Sequence, residues 1–235
     1  MSARKTAQRV EAWHFLANDR RFGHDDGNIA APGYVYSVEG PIKLCEWGLH
    51  ASERAIDALQ YAPGNMIGRV VLSGEIIRGD DKLVATHREY LWIADAEETL
   101  RSFARWSALQ VIHLWNAPDI VRRYLESGDK SLRSAAESAA ESAAESAANL
   151  AANPAAYWAT HGAARSAADS AANLAASLAA YLAAYSAAYS AAYSAANSAA
   201  NSAANSRAYR AAYRAAYSAQ NDELEKRLFA LGEAR

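Results

Sequence analysis

Residues 133–148 read RSAAESAAESAAESAA, and the same four-residue phase continues from Arg133 to about Gln220. Each unit holds two alanines, a variable residue and usually a serine, as in Ala135-Ala136-Glu137-Ser138 and Ala191-Ala192-Tyr193-Ser194. About 22 units follow one another without a phase break, so the tract is an internal repeat before it is anything else. Pro154 and Gly162 both fall on the serine position and leave the phase intact.

Alanine has the highest helix propensity, and a tract this rich in it sums that preference over many residues. The expectation is a long α-helical tract. Four residues turn an α-helix by about 400°, so each unit drifts about 40° around the axis. No single position therefore holds one face of a straight helix. The alternative is a small-residue solenoid, in which each tetrad forms one side of a coil and like residues stack in ladders. Alanine's poor fit to strands weighs against it.

The variable position comes in blocks: Glu137, Glu141 and Glu145, then Tyr181, Tyr185, Tyr189 and Tyr193, then Asn197, Asn201 and Asn205, then Tyr209, Tyr213 and Tyr217. Residues four apart are neighbours on a helix, so each tyrosine block predicts a ridge of touching rings. The flanking alanines would let a second helix approach closely. This points to self-association through the tract, with Asn153-Pro154 as a candidate hinge because Pro suits a first helical turn. After Asn221 the tetrad ends, and Leu224, Leu228 and Leu231 with Phe229 form an amphipathic stripe that adds to the self-association surface.

Outward from the tract, the chain divides into a globular head (1–117), a linking helix (118–132), the repeat (133–220) and a C-terminal helix (221–235). The head holds Trp13, Trp47, Trp92, Trp106 and Trp115. Strand-like runs lie at Glu11–Leu16, Gly33–Val38, Ile42–Cys45 and Ile67–Ile77, with Leu83–Thr86 and Tyr90–Ile93 as a further pair. A helix over Ala55–Leu59 has Ser52 as its expected N-cap and stops at Pro63-Gly64. Another runs from Glu97 to Asn116 on the stripe Leu100, Phe103, Ala104, Ala108, Val111, Ile112 and Leu114. Pro118-Asp119 opens a short helix that ends at Gly128, and Asp129 or Ser131 can cap the tract. The fold class is an α+β head followed by an alanine-rich helical repeat.

The net charge is −2 with no basic tail, which argues against nucleic-acid binding through a charged surface. Arg207, Arg210 and Arg214 read as a solvated helix face. Cys45 is the single cysteine, so neither a disulfide framework nor a multi-cysteine zinc site is expected. His24-Asp25-Asp26 before Gly27 reads as a turn, and no metal is expected. No N-terminal apolar stretch reads as a signal peptide, and polar residues interrupt the tract too often for a membrane span. The expected setting is the cytoplasm, with no membrane contact.

Trp47-Gly48-Leu49-His50-Ala51-Ser52 is the most suggestive stretch of the head. The spacing from Gly48 through His50 to Tyr61, with Arg88-Glu89-Tyr90-Leu91 further on, resembles the poly-ADP-ribose-polymerase type of ADP-ribosyltransferase. That resemblance implies an NAD-using enzyme in which His50 and Tyr61 flank nicotinamide and Glu89 orients a ribose hydroxyl. The chain departs from the family at His14, which precedes Phe15 rather than glycine, and at Ala58, where the family has serine. Over nearly its whole length the chain also resembles proteins of bacteriophages and actinobacterial prophages, through the Gly-Leu-His-Ala motif, Asp81-Lys82-Leu83, Leu91-Trp92, Phe103-Ala104-Arg105-Trp106, the tetrad tract and Gln220–Glu225. This implies a phage setting in a bacterial host and no particular activity.

The leading expectation is a structural or interaction protein, phage-associated and without a cofactor, that forms a homo-oligomer through the tract and has room for a protein partner. The alternative is the NAD-dependent ADP-ribosyltransferase-like enzyme. An ice- or surface-binding tract is a third reading, suggested by the small-residue regularity alone.

Overall fold

The structure is a computed structural model that describes residues 9–22, 28–114, 117–150 and 206–234. Its contacts form two compact units, residues 1–96 with 228–235, and residues 97–227.

In the first unit the β-branched run Ile67–Ile77 forms the middle of strand β4 (Met66–Arg78). β5 (Leu83–Asp95) folds back on it in an antiparallel hairpin. The expectation of two strands, Leu83–Thr86 and Tyr90–Ile93, is corrected here. They are one strand, because the polar residues between them keep pairing with β4 from Arg88↔Leu72 to Val84↔Ile77. β1 (Val10–Leu16) pairs with the other edge of β4. Two short strands share the free edge of β5: β2 (Val35–Ser37) pairs with residues 87–89, and β3 (Leu49–Ala51) with residues 83–85.

β3 was not anticipated, and the strand expected at Ile42–Cys45 is not formed. That segment is a turn, with the N–H groups of Glu46 and Trp47 both donating to the Lys43 carbonyl. Cys45 within it takes the left-handed conformation, φ 67°. Gly48 then enters β3 at φ 125°, where a Cβ would stand 2.3 Å from a Val84 methyl. Only glycine allows this approach.

Just past β3, Ser52 pairs back to β1. Trp13 N–H donates to the Ser52 carbonyl at 2.7 Å, and Ser52 N–H to the Trp13 carbonyl at 3.0 Å. The sheet thus curls until β3 bridges β5 and β1. This corrects the expected role of Ser52 as a helix cap. Its backbone belongs to the sheet, and helix α1 (Ala55–Leu59) starts after Arg54 without a side-chain cap. α1 is nevertheless held, because Ala55, Ile56 and Leu59 are wholly buried. Each large side chain buried in this way contributes about 1.5–3 kcal/mol.

The end of the C-terminal helix completes this unit. Phe229 packs edge-on against Trp13 with centroids 5.0 Å apart, and the Arg69 guanidinium lies over both rings. A Cβ on Gly232 would sit 2.8 Å from the Trp92 ring.

The second unit is helical. α2 (Glu97–Val111) runs into a 3-10 turn over Ile112–Leu114, close to the expected span. α3 (Asp119–Ser127) ends at Gly128 as expected. Asp129 then accepts the Ser131 N–H at 2.9 Å and caps the short turn that leads into α4 (Arg133–Leu150). Ala108, Ile112, Val121, Tyr124, Leu125, Ala136 and Ala140 form the core of these helices. Ala136 and Ala140 belong to successive tetrads, and their small side chains let the tract helix pack on α3. α5 (Ser206–Glu233) runs without a break from the last tetrads into the leucine-bearing tail. In this unit its Gln220 accepts a hydrogen bond from Ser107 at 2.7 Å, with both residues buried.

The hinge at Asn153-Pro154, the turn at His24–Asp26 and the tyrosines from Tyr181 to Tyr193 lie outside the described residues. No helix among the described residues is long and apolar enough to cross a membrane.

Candidate functional site

The curl of the sheet brings β1, β3 and β5 around one cleft. Inward positions alternate along a strand. On β5 Arg88 lines the cleft and Tyr90 follows it in the same phase, while Glu89 between them faces the other way. His14 on β1 and His50 on β3 join the same cleft.

Arg88 lies at the centre of it, with 3% of its surface exposed. Its Nη1 donates to the His50 carbonyl at 2.7 Å, and its guanidinium lies 5.1 Å from the Phe22 ring centre and 5.2 Å from that of Tyr90. Its Nε is buried with no hydrogen-bond partner. Among the described residues no ion pair includes Arg88. Burial lowers its pKa from the ordinary value, while the Tyr90 and Tyr36 hydroxyls act in the other direction. Guanidinium stays protonated in proteins, so the group is a buried cation.

His14 and Tyr90 form a linked pair. The Tyr90 hydroxyl and His14 Nδ1 are 2.9 Å apart. Burial pushes Tyr90 up to about 12. Burial first, then the nearby Arg88 and His50, hold His14 well below the usual imidazole range. Both groups are therefore neutral near pH 7. They share one hydrogen bond, whose donor is set by the His14 tautomer. Gly68 makes this geometry possible, since a Cβ there would stand 2.6 Å from the Tyr90 ring.

Two lobes make up the cleft. The larger, about 540 Å³, is walled by His14, Phe22, Trp47, His50, Tyr61 and Arg88 among others. The smaller, about 290 Å³, lies between Trp13, Cys45, His50, Ser52, Tyr61 and Lys82. Among the described residues no aspartate or glutamate lines either lobe. His50 Nε2 accepts the Cys45 N–H at 3.0 Å, so the neutral ring carries its proton on Nδ1. The Tyr61 hydroxyl donates to Asp81 at 2.5 Å, and the Lys82 ammonium lies 4.0 Å from the centre of the Tyr61 ring. Partial burial and the Asp81 hydrogen bond raise the Tyr61 pKa, with Lys82 opposing. Lys82 loses some hydration, which lowers its pKa, but its hydrogen bonds to Cys45 and Tyr61 bring the net shift upward.

Of the three residues expected to act on NAD, the structure brings together His50 and Tyr61 and leaves Glu89 apart. Glu89 lines neither lobe and pairs with Arg9 at 3.1 Å on the opposite side of the sheet. Sequence reading passed over Arg88, Tyr90, His14 and Lys82 as site residues. A signal for Arg88 was present: it is a charge in phase with Tyr90 in a strand-like run. Among the described residues no group of three or more His, Cys, Asp or Glu side chains is placed to hold a metal ion.

On the tract, Tyr213 and Tyr217 stack with centroids 5.9 Å apart and planes 11° from parallel. The side chain of Tyr209 lies outside what is described. Leu224 and Leu228 are fully buried within the chain, and Leu231 is half-buried.

A family model described as "Domain of unknown function (DUF7666)" matches residues 25–102. The match covers β2 to the first turns of α2 and so includes His50, Tyr61, Lys82 and Arg88, but it begins after β1 and His14. Comparison with curated proteins and with solved structures found no match.

Proposed function

We propose that the first unit is a binding module for a small anionic molecule, and that Arg88 is the counter-ion. The observation that carries this reading is the buried guanidinium on the wall of an open cavity that, among the described residues, no carboxylate lines. Keeping a charge out of water without a partner costs several kcal/mol. An arriving phosphate, phosphonate or carboxylate removes that cost. Neutral His14 adds a polar ring to the wall. Phe22, Trp47 and Tyr61 supply flat apolar walls for the rest of the molecule. Titration of the full chain with phenyl phosphate, followed by tryptophan fluorescence, tests it. Wild type should bind, Arg88→Lys should keep part of the affinity, and Arg88→Met should lose it. Equal binding by Arg88→Met would end this reading.

The ADP-ribosyltransferase-like reading keeps the pair His50 and Tyr61 but, among the described residues, has no carboxylate in the cleft to orient a ribose. In its favour remains the spacing of the motif. NAD enters as one more anionic probe, with nicotinamide release as the measure of catalysis.

The stacked Tyr213 and Tyr217 favour a second role alongside ligand binding, self-association through the tract. With Leu224 and Leu228 already buried, Tyr181, Tyr185, Tyr189, Tyr193, Tyr209, Tyr213 and Tyr217 carry that surface in this reading. A helical tract suits it better than a solenoid, because rings four residues apart meet on a helix. The setting we propose is a phage-associated homo-oligomer in the cytoplasm of a bacterial host. Sedimentation analysis of wild type and of Tyr213→Asp with Tyr217→Asp tests it. A wild-type monomer at high concentration would rule it out.

A further inference from the structure

We infer that the ligand of this cleft carries two anionic groups, one at Arg88 and the other at Lys82, joined by an apolar or flat middle. The inference rests on the anion-binding reading above and adds the second charge and its place. The two lobes share His14, Phe15, His50 and Tyr61 on their walls, so they adjoin. His50 marks the waist between them. Its carbonyl accepts from Arg88 on one side, and its ring accepts from the Cys45 backbone on the other.

Beyond the waist the charge is again positive. Lys82 lines the smaller lobe and is held there by the Tyr61 ring and the Cys45 thiol. The adjacent carboxylate, Asp81, accepts from the Tyr61 hydroxyl and from Gln60 Nε2, and it is not part of the wall. A cleft with a cation in each lobe and no carboxylate among its described lining residues favours a dianion over a monoanion, because the second charge gains attraction without added ordering of the protein. Phe15 and Tyr61, on the walls of both lobes, give the middle of the ligand apolar contact.

Calorimetric titration of the full chain with alkylphosphonates, and with α,ω-alkane bisphosphonates of matched and increasing chain length, tests this. The bisphosphonates should show an optimum in chain length, and the best should bind at least about tenfold tighter than its mono-phosphonate counterpart. Lys82→Gln should erase that gap and leave the monophosphonate affinity nearly as it was, and Lys82→Arg should restore it. Lys82 is partly exposed, so circular dichroism suffices to show that the variants fold. Equal affinity for mono- and bisphosphonates, or a gap that survives Lys82→Gln, would overturn the second site and leave the Arg88 site standing. Unchanged binding of both probe classes by Arg88→Met, or no binding of either by wild type, would overturn the anion-binding reading itself.

Discussion

Arg88 Nη1 donates to the backbone carbonyl of His50 at 2.7 Å, and no acidic side chain is paired with that guanidinium among the described residues. The bond ties β5 to β3 and also orients a buried cation beside an open cavity. A structural arginine with this degree of burial is ordinarily paired, since breaking such a pair costs about 3–5 kcal/mol.

Arg88→Met should therefore separate stability from binding. Loss of the hydrogen bond to His50 costs stability, and loss of the unpaired charge returns it. We expect urea unfolding to place the variant within about 1 kcal/mol of wild type or above it. Phosphate-ester binding should be lost in the same protein. A large loss of stability would mean that Arg88 serves the fold.

The folded-state pKa of His14 is depressed, so acid favours the unfolded chain. The unfolded imidazole takes up a proton as pH falls through about 6.5, while the folded one does not until pH is well below that. Stability should be complete above about pH 7 and fall as pH drops below 6.5, with a slope of up to about 1.4 kcal/mol per pH unit from this group. Denaturation midpoints measured from pH 7.5 down to pH 5 (roughly the span that matters) should show the slope in wild type and a shallower one in His14→Gln.

Gly68→Ala should displace the Tyr90 ring, because the new methyl would meet it at 2.6 Å. Overpacking of this kind costs about 1–3 kcal/mol. The variant should also lose the Tyr90–His14 hydrogen bond, so its acid sensitivity should change along with its midpoint. Glycine-like stability in the variant would show that Tyr90 can move away without cost.

Glu89→Ala should do little. Its partner Arg9 is largely exposed, and surface pairs contribute about 0–1 kcal/mol. Phenyl phosphate should bind as tightly as before. Nicotinamide release from NAD that disappears with Glu89→Ala would restore the ADP-ribosyltransferase-like reading.

The parts legible in the sequence were those set by local pattern. The β-branched run became β4, the 3.6-residue stripe became α2, and Pro118-Asp119 and Gly128 bounded α3. Tyr213 and Tyr217 stack as their four-residue spacing required. Pairing across the chain was not legible. Ser52 has the chemistry of a helix cap, yet its backbone bonds to Trp13. Leu49–Ala51 is too short to announce a strand, and only the free edge of β5 makes it one.

The site divides along the same line. The sequence by itself placed His50 just before, and Tyr61 just after, the short helix α1, and the family resemblance paired them in one site. Whether Arg88 or Glu89 joined them was decided by the tertiary structure alone. Neighbours on a strand point to opposite faces, and which face is inward depends on how β5 pairs with β2, β3 and β4. That choice put the Arg88 guanidinium, and not the Glu89 carboxylate, into the cleft.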